Sequence, residues 1–265
     1  MGIIKKIVAI ALISQIIPSY TAFAAHGTST IQPYASDQNA ADLTASDAQE
    51  HTAETFFTPY RAVYSTVYKK GITLKVEGKQ TLTATAEGDY RFDFVVDTLL
   101  ASLKESSQFS LQGDSLRPTR YHYSSRIIGK RKDVTVTFDW EAMTAVNHVK
   151  GGPWTMPIND ISLDRLTLQL QLRQDLKSHR EQLSYDIADG GQLKRYSFEK
   201  RDHELIKTKL GQLDTIKVVR TDNLSDKRHQ FFWFAPAYDY LLVKMEHFEK
   251  GESYTLNLDK IAELP

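Results

Sequence analysis

Apolar and polar residues alternate along most of the chain beyond residue 58. Between residues 60 and 68, one face of the segment would carry Tyr60, Ala62, Tyr64, Thr66 and Tyr68. A period of two is what a half-buried β-strand requires, because successive side chains point to opposite faces of a sheet. The pattern therefore predicts a strand with a row of tyrosine rings on one face.

The same alternation recurs in later segments that are separated by turn residues. Lys69-Lys70-Gly71 predicts a hairpin into a second strand at 72–76, and Glu87-Gly88-Asp89 precedes a third at 90–96. Further strands are predicted at 108–111, 119–125, 133–140, 144–150, 182–187, 194–201, 204–210, 213–220, 229–234, 240–249 and 254–261. Residues 151–154, Gly-Gly-Pro-Trp, break the pattern. About a dozen short strands of this kind predict an antiparallel meander.

The segment Asp160–Lys177 fits two periods. Leu163, Leu166 and Leu170 lie near one stripe of a helix, whereas the leucines at 166, 168, 170 and 172 also alternate as in a strand. Length and composition favour a helix, because the eighteen residues are rich in Leu, Gln, Arg and Asp and contain few β-branched residues. Asp160 or Ser162 is the expected N-cap.

The stretch FFWFAPAYDY, residues 231–240, holds six aromatic rings in ten residues. In a strand, Phe232 and Phe234 point to one face, and Phe231 and Trp233 point to the other. A strand that is apolar on both faces is normally covered on both faces. Core packing and a lipid-lined groove both fit this pattern.

Together these segments predict a mainly β fold. We expect a single large curved antiparallel sheet, an open half-barrel-like meander, with one long helix packed on its concave face. Residues 56–265 would form this one β-rich domain, since about 210 residues suffice for a sizeable core.

The first 55 residues differ in character. Lys5 and Lys6, an apolar run at 7–17 and the Ala22-Phe23-Ala24 motif predict a cleaved signal peptide over residues 1–24. Residues 25–55 are rich in Ala, Ser, Thr, Asp and Gln, which predicts a flexible leader. We expect a periplasmic protein, with secretion as the second choice, and no transmembrane segment after cleavage.

Composition excludes several classes of function. The chain contains no cysteine, which removes disulfides, thiolate metal sites and a lipid-bearing cysteine. The 33 basic and 33 acidic residues balance, and 31 and 28 remain when Lys5, Lys6 and the five acidic residues of the leader are left out. Such a small surplus does not predict nucleic-acid binding. The basic run at 126–132 is expected to be a solvated turn.

Catalytic patterns are absent from the sequence. The eight histidines lack metal-ligand spacing, and neither a G-x-S-x-G elbow nor a phosphate-binding Gly loop occurs. Asp160 and Asp164 are spaced by one helical turn, as paired carboxylates could be, but a favourable interaction with a helix N-terminus explains them more simply. We therefore expect no catalytic residue, no cofactor and no metal.

Several short motifs resemble one protein family. They include Gly113-Asp-Ser-Leu-Arg-Pro-Thr-Arg-Tyr121, Gly129-Lys-Arg-Lys-Asp133 leading to Phe138-Asp-Trp140, the Leu-rich segment after Asp160, Lys209-Leu-Gly-Gln-Leu213 and Trp233–Val243. In this order they are similar to the exported bacterial family called domain of unknown function 3108. This resemblance implies a plan similar to the LolA/LolB-like half-barrels of the periplasm, which hold acyl chains between sheet and helix.

Two functions are predicted. The first is a non-enzymatic periplasmic protein that binds or carries a hydrophobic, acyl-bearing ligand in cell-envelope biogenesis. Its expected ligand-binding residues are Leu166, Leu170, Trp233, Tyr60, Tyr64 and Tyr68. The alternative is an envelope scaffold or assembly protein that acts through protein–protein contacts, with no ligand. An exposed apolar patch or an unpaired sheet edge would favour this alternative.

Overall fold

The computed structural model describes residues 57–69, 73–85, 87–99, 101–127, 130–149 and 151–263. Most of these residues belong to strands that pair antiparallel. The first strands are β1 (Tyr60–Lys69), β2 (Thr73–Ala84), β3 (Tyr90–Asp97), β4 (Ala101–Gln112), β5 (Ser115–Ile127), β6 (Lys130–Asp139), β7 (Thr144–Val149), β8 (Gly152–Pro157) and β9 (Ser162–Leu163). Helix α1 (Thr167–Lys177) follows. The remaining strands are β10 (Leu183–Asp189), β11 (Gln192–Thr208), β12 (Gly211–Arg220), β13 (Arg228–Ala235), β14 (Leu241–Glu249) and β15 (Glu252–Glu263).

These fifteen strands form one open sheet in the order β8-β7-β6-β5-β4-β3-β2-β1-β15-β14-β13-β12-β11-β10-β9. Sequence neighbours pair antiparallel from β1 to β8 and from β10 to β15, and β1 joins the two halves by pairing with both β2 and β15. Among the described strands, β9 alone pairs in parallel, with β10. The predicted open antiparallel meander with one helix is confirmed.

The alternation in β1 distinguishes a buried face of the sheet from a more exposed one. Tyr60, Ala62, Tyr64 and Thr66 are buried, whereas Arg61 is exposed. Strand β3 repeats the pattern, with every second side chain buried from the first residue onward. The period of two in the sequence therefore identifies the core face directly.

Three strand predictions need correction. Residues 152–157 form β8, which pairs with β7, although Gly-Gly-Pro-Trp was expected to break the sheet. The two strands predicted at 194–201 and 204–210 are one strand, β11, in which a register shift between Lys200 and His203 interrupts the alternation. Strand β4 begins at Ala101, seven residues before the predicted strand at 108–111.

The helix is shorter than expected. It spans eleven residues rather than the predicted eighteen, because Ser162 and Leu163 are paired with Asp186 and Ile187 of β10. Nine of the eleven residues are buried, and α1 contacts β5, β10 and β14. Within the described ranges, no helix combines the length and the apolar character needed to cross a membrane. The predicted signal peptide and leader lie outside the described residues.

Candidate functional site

A cavity of ≈ 80 Å³ lies between α1, the residues just before it and the buried face of the sheet. Strands β2, β3, β4, β11, β13, β14 and β15 all contribute to its wall. Nine of its lining side chains are apolar: Phe94, Leu166, Leu168, Leu172, Phe198, Phe232, Leu242, Met245 and Leu256. Six are polar or carry a hydroxyl: Gln80, Glu105, Arg165, Gln169, Tyr196 and Gln230. The arrangement is an apolar space with a few polar groups, as in many sites for hydrophobic ligands.

The later turns of α1 are firmly attached to the loop after β13. Arg173 donates from Nε to the backbone oxygen of Asp239 and from Nη2 to its carboxylate, both at 2.6 Å. Lys177 forms an ion pair with the same carboxylate at 2.8 Å. Asp239 has a left-handed backbone with φ of 50°, a conformation that Asp tolerates better than most residues. Strand β13, with its four aromatic residues at 231–234, is thus followed by a turn that anchors the helix.

Two further side chains hold the helix to the strands beside it. Gln171 accepts a hydrogen bond from the backbone amide of Leu116 at 2.9 Å, and Asp175 accepts one from the hydroxyl of Tyr185 at 2.6 Å. Asp175 is buried, so its hydrogen bonds compensate a carboxylate removed from water. These contacts fix the helix over β5 and β10.

The first turn of α1 is capped by Asp164, and not by Asp160 or Ser162. The Asp164 carboxylate accepts the backbone amides of Leu166 and Thr167 at 2.8 and 2.9 Å. Burial raises the pKa of Asp164, while hydrogen bonds from Ser107 and Thr167 oppose the shift. Asp160 is exposed and pairs with Arg117. Both acids precede the helix, so the idea of paired carboxylates one turn apart on a helix is wrong.

Among the residues that the structure describes, one side-chain hydrogen bond links the cavity-facing side of α1 to β2. Gln169 accepts a hydrogen bond from Nε2 of Gln80 at 3.2 Å. Gln80 in turn accepts a hydrogen bond from the hydroxyl of Tyr60 at 2.9 Å and a longer one from that of Tyr64 at 3.3 Å. The shorter bond of the Tyr64 hydroxyl, at 2.8 Å, goes to the backbone oxygen of Leu242. Burial raises the pKa of both tyrosines, so they remain hydrogen-bond donors. The two tyrosines support the cavity wall from behind Gln80.

The charged side of the cavity is formed by Arg165 and Glu105. Arg165 donates from Nη2 to the hydroxyl of Tyr121 at 2.9 Å, and that hydroxyl donates to Glu105 at 2.5 Å. Arg165 also lies 3.6 Å from the carboxylate of Asp189. Burial raises the pKa of Glu105, and the positive charge of Arg165 works against this shift. The apolar cavity is therefore bordered by a buried ionic network.

The six ligand-binding residues predicted from sequence do not come together in one group. Leu166 lines the cavity, and Tyr60 and Tyr64 bond to Gln80 in its wall. Leu170 is buried but does not line the cavity. The side chain of Tyr68 lies outside the described residues.

Trp233 lies on the opposite face of the sheet from the cavity. Its ring is next to Phe231, and its Nε1 donates to Glu204 at 2.7 Å. The ammonium groups of Lys217 and Lys244 lie 5.1 and 4.2 Å from the ring centroid. These side chains cover the second apolar face of β13, which explains how a strand with large rings on both sides is buried.

Glu105, Arg165 and Tyr196 were missed as site residues. In β4 Glu105 occupies an inward position two residues after the buried Leu103. A charged residue at an inward position of an alternating strand is the signal that could have identified it. Arg165 has no such signal, because it lies in a turn beside a Leu-rich helix.

In the described part of the chain, no group of three or more His, Asp or Glu side chains is placed to hold a metal ion. His26 and His51 lie outside the described residues.

No curated protein sequence is significantly similar to this chain. The crystal structure of a beta-barrel-like protein of domain of unknown function DUF1849 from Brucella abortus is similar in fold, with a TM-score of 0.54 and 9% identity. The similarity covers 78% of this chain and 98% of that chain. At this identity it shows the fold alone.

Two other solved structures are more distant. A putative outer membrane lipoprotein-sorting protein domain from Vibrio parahaemolyticus has a TM-score of 0.27 and 10% identity over 79% of this chain and 86% of its own. A LolA superfamily protein from Nitrosomonas europaea has a TM-score of 0.23 and 9% identity over 78% and 88%. TM-scores this low carry no argument about this chain.

The family resemblance seen in the short motifs is confirmed over most of the sequence. Residues 59–259 match the family described as "Protein of unknown function (DUF3108)", and the chain belongs to this family.

Proposed function

We propose that this protein binds a hydrophobic, acyl-bearing ligand between α1 and the sheet, and that it does so without catalysing a reaction. The observation that carries the proposal is the cavity itself, in which nine apolar side chains from the helix and the sheet face a shared space. Burial of hydrocarbon against such a lining is favourable by about 25 cal/mol per Å² of apolar surface.

Size sets a condition on binding. Pockets for drug-sized ligands have volumes of roughly 300–1,000 Å³, whereas this cavity measures ≈ 80 Å³. An acyl chain therefore requires the cavity to widen. Widening would begin at the contact between Gln169 and Gln80, which links the cavity-facing side of α1 to β2, because Asp164 holds the beginning of the helix and Gln171 and Arg173 hold its later turns.

The proposed place of action is the cell envelope. The basic residues, apolar run and small-residue motif of residues 1–24 support export. A periplasmic protein with an acyl-binding cavity would carry hydrophobic molecules or hold them for another envelope protein.

The test is expression of the full chain in a bacterial host and purification of the periplasmic product without detergent. Native mass spectrometry and analysis of an organic extract then report any bound molecule. Uptake of added dodecanoic acid and dodecanol is measured on the same protein by isothermal titration. We expect a stoichiometric hydrophobic adduct or saturable uptake.

Two variants make this test specific to the cavity. Leu166→Trp places a larger side chain in the cavity and should abolish uptake, whereas Trp233→Phe changes the opposite face and should leave it intact. Circular dichroism confirms that each variant is folded, since a larger core side chain costs typically about 1–3 kcal/mol. A folded wild type that has no adduct and takes up neither compound would overturn the proposal.

A scaffold role is the second candidate, and one observation favours it. Strand β8 is an edge of the sheet, and its Trp154 is 62% exposed. An exposed aromatic side chain on a sheet edge is suited to pairing with another protein. If Trp154→Ala leaves an envelope complex found by cross-linking unchanged, this candidate fails.

A further inference from the structure

Leu99 has the most exposed large apolar side chain among the residues that the structure describes. It lies in the turn between β3 and β4 and is 97% exposed, whereas Trp154 and Leu205, the next most exposed, are each at 62%. Thr98 and Ala101 close this turn with three hydrogen bonds of 2.8–3.0 Å. Single exposed leucines are common on soluble proteins. Leu99 therefore indicates a binding surface only if its surroundings do so too.

Two exposed arginines lie directly opposite each other beside this turn. Arg126 of β5, the strand next to β4, pairs in register with Arg131 of β6. Neither arginine forms an ion pair with a residue that the structure describes. Like charges directly opposite each other destabilise a sheet. A negatively charged partner would relieve this repulsion.

Strand pairing brings Leu99 and the two arginines to the same end of the sheet. Asp97 lies opposite Ser102, and Ser102 lies opposite Arg126. Arg131 continues this row on β6. Leu99 follows two residues after Asp97, just beyond the row. Because neighbouring strands are about 4.8 Å apart, the backbones of Leu99 and Arg126 lie within roughly 10 Å of each other.

The exposed charges around this row give a positive balance. Asp133 lies 3.8 Å from the imidazole of His122 and is not paired with either arginine. Lys130, the first residue of β6, adds a cation at the end of the row. Lys132 also borders it, and burial, together with the charge of Arg165, lowers the pKa of this lysine. The other exposed charged side chains are three cations and two carboxylates: Lys104, Arg126, Arg131, Asp97 and Asp133.

An apolar tip beside unpaired arginines suits a lipid surface better than a dissolved anion. A leucine is stabilised on entering the boundary between head groups and acyl chains, as in proteins that lie on a membrane without spanning it. Arginine forms strong hydrogen bonds to phosphate, and basic residues are attracted to anionic lipids. A dissolved anion would contact the arginines and leave Leu99 in water.

We propose that this end of the sheet docks on an anionic lipid surface. Leu99 enters the boundary between head groups and acyl chains, while Arg126 and Arg131 contact lipid phosphates. This inference goes beyond the proposed function and does not rest on it, because none of these three residues lines the cavity beneath α1.

The experiment measures sedimentation of the protein with lipid vesicles. The protein is the periplasmic product of full-chain expression, purified without detergent. Vesicles of phosphatidylcholine alone are compared with vesicles that contain one third phosphatidylglycerol. Wild type should bind the anionic vesicles at least ten-fold more tightly, since each basic residue near an anionic surface strengthens binding roughly five-fold. Salt at about 0.5 M should largely remove the difference, because it screens the attraction.

The first variant tests the arginines. The double variant Arg126→Gln/Arg131→Gln should bind anionic vesicles roughly ten- to thirty-fold more weakly, by the same five-fold per residue. Its urea midpoint should not fall, because a like-charge pair is removed. Arg61→Gln/Lys207→Gln is the matched control: it removes the same charge from exposed positions on β1 and β11 and should bind as wild type does.

The second variant tests the leucine. Leu99→Ser removes the apolar side chain without changing charge and should weaken binding about ten-fold, as expected when a leucine no longer leaves water. Leu205→Ser, at another exposed leucine, should bind as wild type does. A Leu99→Trp variant adds a direct measurement: relative to wild type, its additional fluorescence should shift to shorter wavelength with anionic vesicles and be quenched by brominated acyl chains.

The outcomes are distinct. Equal binding to both kinds of vesicle, or binding to neither, overturns the proposal and leaves the cavity and its ligand unaffected. Equal losses in the arginine variant and its control show an effect of net charge alone and overturn the assignment to this end of the sheet. If Leu99→Ser binds as wild type does while the arginine variant does not, the contact is purely electrostatic, which overturns insertion of Leu99 and favours an acidic protein as the partner.

Discussion

The hydroxyl of Ser107 on β4 donates a hydrogen bond of 2.5 Å to the carboxylate of Asp164, 57 residues later in the chain. The same carboxylate accepts the backbone amides of Leu166, the residue just before α1, and of Thr167, its first residue. Asp164 is 0% exposed. One buried acid therefore both caps the helix and attaches its beginning to the sheet.

Replacing Asp164 by alanine should lower the free energy of unfolding by about 2–4 kcal/mol. Loss of a capping side chain costs about 0.5–2 kcal/mol, and the Ser107 hydroxyl left without its partner adds about 1–3 kcal/mol. Urea denaturation followed by circular dichroism measures the change. Asp160→Ala is the control, because Asp160 is exposed and should change stability by less than about 0.5 kcal/mol. Equal losses in the two variants would contradict the capping role.

The sheet was predictable from sequence because its side chains obey a strict period. In β1 the buried residues Tyr60, Ala62 and Tyr64 alternate with more exposed ones, and the hairpin turns are marked by glycines. The strand predictions failed where the alternation of buried and exposed side chains is interrupted. Strand β11 was divided in two because its register shift after Lys200 changes which side chains face inward.

The cavity was less predictable, since it depends on contacts between distant parts of the chain. The start of α1 is set by the pairing of Leu163 with Ile187 and by the bond between Asp164 and Ser107, and no local pattern reveals either. Trp233 illustrates the same limit. Its large apolar ring suggested a ligand, but alternation places it on the outer face, where Glu204 and two lysines cover it.

Packing of the cavity wall requires a residue without a side chain at Gly78 on β2. A Cβ at this position would lie 2.6 and 2.9 Å from two ring atoms of Phe94, which lines the cavity. Gly78→Ala should therefore cost about 1–3 kcal/mol, as overpacking of a core typically does. Urea midpoints of Gly78→Ala, Phe94→Leu and the double variant form a thermodynamic cycle. We expect the double variant to lose less than the sum of the single losses, because the smaller side chain relieves the clash. Additive losses would show that the two sites are independent.

His247 on β14 should make the folded state sensitive to mild acid. Burial lowers the pKa of this histidine to about 4, and the repulsion from Arg228 and Arg220 acts in the same direction, while Glu249 opposes it. In the unfolded chain a histidine titrates near pH 6.5. Between these values the unfolded state binds more protons, so stability falls as the pH is lowered from about 6.5 to about 4.

The size of this effect is about 3 kcal/mol, because one pKa unit corresponds to about 1.4 kcal/mol. Urea denaturation at a series of pH values should show a steeper loss for wild type than for His247→Gln across this window. His148→Gln, at an exposed position, should keep the wild-type slope. Parallel profiles for wild type and His247→Gln would mean that burial of the imidazole does not control the acid response.

The bond between Gln80 and Gln169 should control access to the cavity. It links the cavity-facing side of α1 to β2, and the cavity must widen from ≈ 80 Å³ to accept an acyl chain. A single hydrogen bond contributes about 0.5–1.5 kcal/mol, so Gln169→Ala should increase the association rate of a fluorescent fatty acid roughly two- to ten-fold.

Gln174→Ala is the matched control for this effect on access. Its side chain bonds to Ser178 four residues later and does not line the cavity, so its removal should leave association unchanged. Stopped-flow mixing measures both rates. If Gln169→Ala accelerates association and Gln174→Ala does not, the contact between Gln169 and Gln80 limits the widening of the cavity. If both variants associate at the wild-type rate, widening occurs elsewhere, and the bond between Gln80 and Gln169 serves stability alone.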